Sequence, residues 1–408
     1  MNKRQLFVSI LVIAVAMLSR CAGKKPAGRD ARGEQFAAAS TCMSCHKDIY
    51  ESYITTAHYH TSAPASPSTV KGSFDPPHNV FHFANATDVI MERKDSLLFQ
   101  TAYVDGKPQQ QYPFDITIGS GRKAQTYLYW QDKQYFQLPI SYFVPVQKWA
   151  NSPGFPASHP NFSRVIPSTC FGCHSSMVAS TEKITGVQRT EEFEKKEAIF
   201  GIDCQRCHGP AAEHVNYHTE HPAEKAARFI TKINTLANQQ QLDMCALCHS
   251  GLKPMLRSAF LFKPGDVLAD FLLPTVAFPS KPSQLDVHGN QYQLLTASKC
   301  FTQSKQMNCS TCHDPHTTER NNMQVFSRRC MSCHQADSGH FCKLKTLPAS
   351  TLQQNCIDCH MPALPSGSIT LLTNGQESPI PDSVRTHLIT IYPDATKKIL
   401  MRMTTGSF

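Results

Sequence analysis

The stretch Cys42-Met43-Ser44-Cys45-His46 decides how this chain is read, because its pattern returns six more times. The later copies are Cys170-Phe171-Gly172-Cys173-His174, Cys204-Gln205-Arg206-Cys207-His208 and Cys245-Ala246-Leu247-Cys248-His249. Then come Cys309-Ser310-Thr311-Cys312-His313, Cys330-Met331-Ser332-Cys333-His334 and Cys356-Ile357-Asp358-Cys359-His360. Two cysteines at this spacing, followed at once by a histidine, form an attachment site for c-type haem. One helical turn sets the thiols apart by about the separation of the two porphyrin vinyl groups. The next residue then offers its imidazole to the iron from one face, as the proximal ligand. The cofactor expected is haem c with its iron, in seven covalent copies. The fourteen motif cysteines hold it, and His46, His174, His208, His249, His313, His334 and His360 are the proximal ligands.

With 17 cysteines and 19 histidines in 408 residues, chance would supply only about 0.03 copies of the motif. Zinc is the competing use of paired C-x-x-C units. Seven pairs leave one without a partner, and zinc does not require a histidine after every second cysteine. A disulfide scaffold would not need those histidines either.

The N-terminus carries an address. Lys3 and Arg4 precede Leu6 to Leu18, an apolar run of 13 residues, which is too short to span a bilayer comfortably and fits a signal peptide over residues 1–20. Cys21 follows directly and predicts a lipoprotein, cut before Cys21 and lipidated there. Arg20 fits poorly at such a cut, and the alternatives are ordinary cleavage or a retained anchor. Export is expected in each case, to the periplasmic face of a membrane or to the cell surface. Three cysteines lie outside the motifs. With Cys21 lipidated, Cys300 and Cys342 are an even pair in an oxidising compartment, so a disulfide between them is expected.

The formal charge of +9 invites a nucleic-acid reading. Losing Lys3, Arg4 and Arg20 with the signal leaves about +6, and two propionates on each haem carry the holoprotein to about −8. The basic residues therefore balance propionates, and no nucleic-acid partner is expected.

At roughly 55 residues per haem, the porphyrins would supply much of the core. The expected fold class is a multihaem cytochrome c, α+β and low in regular secondary structure. Short helices and loops would pack around haems, beside one small antiparallel β unit. Residues 21–40 read as a flexible tether, 41–362 as the multihaem domain and 363–408 as a tail packed on it. The β-rich, haem-free insert is expected at 80–150. Asp105-Gly106 is a hairpin signal, and Gln125–Trp130 with Tyr135–Leu138 reads as a second hairpin. Gly119-Ser120-Gly121 reads as a turn or bulge. Helices are expected over Cys42–Tyr59, Thr190–Phe200, Cys204–Tyr217 and Pro222–Asn238. Phe260–Phe278 would run extended over haem faces, and Val384–Tyr392 would form a closing strand. The last three motifs begin only 21 and 26 residues apart, which forces their haems close together.

Twelve histidines remain beyond the seven proximal ones, enough for a second ligand on every iron. His316 lies three residues after His313 and cannot swing round the porphyrin that His313 holds, so it would serve a neighbouring haem. The same holds for His214 after His208 and His340 after His334. His58, His288 and His387 stand in contexts with no competing role. The distal candidates are thus His58, His214, His288, His316, His340 and His387. His60, His159, His218 and His221 read as solvent or propionate partners, and His78 and His82 stay open.

The chain resembles the cytochrome c-554-type multihaem cytochromes from about Cys42 to His387. The resemblance rests on Gly201-Ile-Asp-Cys-Gln-Arg-Cys-His-Gly-Pro210 with His214, on Asn308-Cys-Ser-Thr-Cys-His-Asp-Pro-His316 and on Cys356-Ile-Asp-Cys-His-Met-Pro362. Gly119 to Phe155, including Gln137-Leu-Pro139, resembles the stretch between the first two haems of larger relatives. The likeness implies closely packed, mostly bis-histidine haems serving electron transfer, with His58, His214, His316 and His387 as second ligands. The partners implied are a quinol-oxidising membrane complex, another cytochrome or a terminal reductase. The alternative is a multihaem oxidoreductase with one open iron, acting on a small nitrogen or sulfur compound.

Overall fold

A computed structural model describes residues 30–273, 281–304 and 306–405. The expected signal peptide and Cys21 lie outside the described residues. From Asp30 onward the chain is already pinned down. Arg32 is buried and bridges Asp30 (2.9 Å) and Asp203 (2.5 Å). The Gln205 side chain accepts from the Ala37 amide (2.9 Å) and donates to its carbonyl (2.7 Å). The expected tether therefore does not reach residue 40, because this polar clasp fixes residues 30–40 to the third motif.

A 3-10 turn, Ala39–Ser44, precedes helix α1 (Lys47–Tyr53). The β unit follows. Strands β1 (Ser62–Pro64), β2 (Val80–His82), β3 (Thr87–Lys94), β4 (Leu97–Val104) and β5 (Lys107–Pro113) come first. After them come β6 (Ile116–Ile118), β7 (Ala124–Gln131), β8 (Gln134–Gln137), β9 (Ile140–Phe143), β10 (Lys148–Asn151) and β11 (Arg164–Val165). Strands β2 to β5 form one antiparallel meander. Helix α2 (Ser168–His174) and the hairpin β12 (Ser175–Thr185) and β13 (Gln188–Phe200) return the chain to the motifs. Helices α3 (Cys204–His208), α4 (Ala212–Glu220), α5 (Asn238–His249), α6 (Gln291–Thr296) and α7 (Lys299–Gln303) follow. The last elements are α8 (Met323–Met331), α9 (Ala349–Leu352), α10 (Cys356–His360), β14 (Ala363–Thr373), β15 (Ile380–Arg385) and α11 (Pro393–Thr405). The second sheet runs β1-β6-β7-β9-β10-β14-β15, with β8 on β7 and β11 on β8. No helix among the described residues is long and apolar enough to cross a membrane.

Alternation builds the β unit. Thr87, Val89 and Met91 of β3 are buried, while Asp88, Ile90 and Glu92 are half-buried. Val89, Met91, Leu98, Phe114, Tyr127, Leu138, Ile140 and Trp149 join in one core. Gln100 is fully buried there, and its amide donates to the Ile140 carbonyl (2.7 Å) and accepts from its N–H (3.1 Å). Both expected hairpins form. Asp105-Gly106 (φ 48°, 70°) and Asp132-Lys133 (φ 49°, 60°) put two left-handed residues in each turn, which matches strand twist.

Several expectations give way. Regular structure is not sparse, because the β unit begins at Ser62 and draws β14 and β15 from the C-terminal segment, so that segment completes a sheet. Thr190–Phe200 is part of strand β13, not a helix, because β12 lies directly upstream and pairs with it through the turn at Gly186 (φ 62°). Pro222–Asn238 holds only a 3-10 turn, Ile233–Thr235, and the helix starts at Asn238. Cys204–Tyr217 breaks into α3 and α4 at Gly209, whose φ of 78° stops the first. The first helix is shorter than Cys42–Tyr59, and β15 ends at Arg385. Phe260–Phe278 includes 3-10 turns at Ala259–Leu261 and Leu268–Asp270, and residues 274–280 lie outside the described residues.

Candidate functional site

All seven motifs sit on a helical turn, as the attachment chemistry requires. Motifs two, three and seven lie in α2, α3 and α10, and motif four closes α5. Motif one straddles the turn before α1, motif six extends from α8, and motif five occupies a 3-10 turn. In these three the histidine N–H reaches back to the first cysteine carbonyl: His46 to Cys42 (2.9 Å), His313 to Cys309 (2.9 Å) and His334 to Cys330 (3.0 Å).

Four of these histidines face a second imidazole from a distant part of the chain. His46 and His214 stand 6.3 Å apart between ring centres, His208 and His316 6.0 Å, and His313 and His387 6.1 Å, with interplanar angles of 12°, 22° and 30°. His249 and His58 stand 6.1 Å apart at 79°. A metal bond of about 2 Å from each ring nitrogen, plus about 1 Å from nitrogen to ring centre, places two centres about 6 Å apart. The rings thus stand at the separation at which both reach one iron between them, and the residues fit the group. Burial, reinforced by the nearby His249 and His313, pushes His58 down to about 4, and burial beside the same two rings does the same to His387. Both stay neutral, the form in which imidazole binds a metal.

The loops that bring in the second rings are held firmly. The His58 carbonyl accepts from Ile202 N–H (2.9 Å), and Ser62 Oγ accepts from Gly201 N–H (2.9 Å). Gly201 has φ 69°, and a Cβ there would run into the Tyr59 carbonyl, so only glycine permits this close approach. His214 Nδ1 bonds the Arg228 carbonyl (2.7 Å), which orients its ring.

The remaining candidates are placed differently. His174 is buried, with its Nδ1 unpartnered, and His288 is a charge neighbour of both His174 and His249. Asp286 holds the His288 loop through its N–H (3.0 Å) and is itself held by Ser366 and Ser368. The His340 carbonyl accepts from His334 Nδ1 (2.7 Å), which puts that residue behind the proximal ring rather than across from it. His360 Nδ1 bonds the Thr390 carbonyl (2.9 Å). Among the described residues, no ring stands opposite His334 or His360. Cys300 and Cys342 are free thiols, so the expected disulfide is not formed. They sit by different motifs: Cys300 beside Cys312 and Cys333, and Cys342 beside Cys359.

Thiols of separate motifs meet, and this gives the order in space. Cys42 partners Cys204, Cys173 partners Cys248, Cys245 partners Cys309, and Cys330 partners Cys356. Cys207 neighbours Cys245 and Cys248, and Cys312 neighbours Cys333. The motifs therefore run 1-3-4-5-6-7, with motif two to the side of motifs three and four: Cys248 and Arg206 both reach the Gly172 carbonyl (3.8 and 3.1 Å).

The supporting polar groups escaped sequence reasoning. Asp203 caps α3 by accepting from Arg206 N–H (2.9 Å), and its place just before Cys204 is a readable cap signal. Arg385 donates to the Ile357 and Met361 carbonyls (2.7 and 2.8 Å) and pairs with Asp358 (2.9 Å), which clasps motif seven to β15. Arg329 of α8 bonds Glu319 and the Cys312 carbonyl (2.7 Å), joining motifs five and six. Such remote pairings leave no local pattern.

Comparison with known proteins agrees with this geometry. The family model described as cytochrome c554 and c-prime matches residues 157–209, which span motifs two and three. The multiheme cytochrome MtrA of Shewanella baltica (strain OS185) is 26% identical over 198 residues, 44% of this chain. That match spans 56% of the relative's length. The crystal structure of the outer cell wall cytochrome OcwA shares the fold at a TM-score of 0.52 and 17% identity, covering 89% of this chain and 81% of that one.

Proposed function

Because this chain belongs to the multihaem c-type cytochromes, we propose that it is an exported heptahaem protein that carries electrons between redox partners. What carries the reading is the set of four imidazole pairs about 6 Å apart, each joining a motif to a distant segment. On this reading His214 would serve motif one, His316 motif three, His58 motif four and His387 motif five, and His288, a charge neighbour of His174, would serve motif two. Haem supplies a ferric/ferrous couple that passes one electron at a time. The chain's own residues hold ring spacing fixed: the motif thiols would anchor each haem edge, and the paired imidazoles, set about 6 Å apart, would hold each iron from both sides. Adjacent motifs then form a continuous path. Its partners would be a quinol-oxidising complex, another cytochrome or a terminal reductase. Cys21 would tether it to a membrane by lipid, at the periplasmic face or the cell surface.

The second reading is an oxidoreductase acting on a small nitrogen or sulfur compound. It is favoured by His334 and His360, which no second ring faces among the described residues. Two measurements test both. The mass of the denatured protein should exceed the processed chain by seven haems. Ferric EPR of the intact protein should show low-spin signals from the five haems given a second histidine. A high-spin signal abolished by azide would move the assignment to the oxidoreductase.

A further inference from the structure

We propose that the haem-free β unit carries a binding cleft for a neutral glycan, apart from the histidine-lined core. At the open mouth between the two sheets lies a cleft of about 500 Å³, inside the range of about 300–1,000 Å³ usual for small-ligand sites. One wall is a ladder of three rings. Tyr112 of β5 stacks on Tyr129 of β7 at 4.2 Å, and Tyr129 stacks on Phe136 of β8 at 5.2 Å. Register makes the lower step, since Tyr129 and Phe136 are paired across the β7–β8 hairpin. Tyr112 arrives from the other sheet and closes the ladder. Tyr129 is buried in the middle, and the two outer rings remain half-exposed.

The rim is polar and carries one ionisable side chain. Gln110, Gln131, Asn161, Ser163 and His159 line it, and no carboxylate, lysine or arginine does. An amide side chain both donates and accepts, which matches a hydroxyl that does the same. The faces of Tyr129 are taken by its neighbours, so the apolar C–H groups of a pyranose would pack on the half-exposed outer rings, Tyr112 and Phe136, while its hydroxyls need partners once they leave water. Together, rings and amides suit a neutral sugar chain. A phosphorylated or carboxylated ligand would need a stronger cationic clamp than the single histidine of this lining. The cleft is also preformed: Tyr129 donates its hydroxyl proton to the Phe162 carbonyl (2.6 Å), fixing the loop that bears Asn161 against the ladder. A glycan seated here would hold the protein on a polysaccharide matrix and leave the motif-bearing side free. None of this depends on the electron-transfer reading.

The test uses the holoprotein and isothermal titration with maltohexaose, cellohexaose and chitohexaose, with heparin and riboflavin as contrasting probes. At least one neutral hexasaccharide should bind. Tyr112→Ala and Gln131→Ala should each weaken it at least tenfold, with the haem absorption and EPR spectra unchanged. The Gln131 side chain is exposed, so that variant reads the cleft without disturbing the core. The proposal is overturned if no neutral sugar binds, if Gln131→Ala binds as well as the parent, or if heparin or riboflavin takes the cleft in preference.

Discussion

At His58 the ring plane stands 79° from that of His249, whereas the three other facing pairs lie within 30° of parallel. Parallel imidazoles split the iron d orbitals strongly, and perpendicular ones leave two of them nearly degenerate. The haem at motif four should therefore give a highly anisotropic low-spin ferric EPR signal, distinct from the rhombic signals of its neighbours. Replacing His58 by Met should remove that one component and leave the rest. A second prediction concerns Arg32, buried between Asp30 and Asp203. Arg32→Ala strands two buried carboxylates and should cost about 3–5 kcal/mol, read by denaturant unfolding of the holoprotein. The motif residues were legible in the sequence because covalent attachment dictates their spacing. Arg32 was not, since its partner Asp203 is 171 residues away and no periodicity connects them.

Helix α2 shows how an element ties the β unit to the haem-bearing part. Phe171, between the motif-two cysteines, is buried against Tyr135 of β8 (5.3 Å) and Phe193 of β13 (5.8 Å). Phe171→Ala should cost about 3–5 kcal/mol and loosen motif two first, seen as partial loss of one haem signal on mild heating. Thr190–Phe200 of β13, which supplies Phe193, reads as helix in the sequence because its many charges fit helical spacing. Residues Glu194–Glu197 are exposed on both faces, so no alternation marks that stretch, and pairing with the adjacent strand overrides the local pattern. The Asp-Gly turn was legible because its backbone demand is local. Between motifs five and six, hydrogen bonds from Arg329 hold Glu319 below its ordinary range. A depressed carboxylate adds stability that is present above its unfolded value of about 4.3 and is lost as pH falls through the folded value. Thermal unfolding should thus show an acid-side loss of stability that Glu319→Gln largely abolishes.

For the molecule as a whole, the thiol contacts give a branched plan rather than a plain line. A cryo-EM map of the holoprotein should place the iron of motif two off the 1-3-4-5-6-7 path, beside that of motif four, and the irons of motifs one and seven at the two ends. An iron at motif two lying within that path would refute the branch. This plan was not legible from spacing, because chain order and spatial order differ: motif three precedes four in the path, while two stands aside. The small β unit expected at 80–150 was legible in kind but not in extent, since β14 reaches it from more than 200 residues downstream.

The crossed pairing of rings also bears on biogenesis. A polypeptide exported N-terminus first, as proposed above, would deliver His58 long before motif four, but would deliver His387, the ring facing motif five, only after motifs six and seven. Maturation would then have to tolerate a porphyrin at motif five that is anchored yet half-coordinated until His387 follows. A chain halted before residue 387 would carry its full complement of pigment and still lack one of its locks.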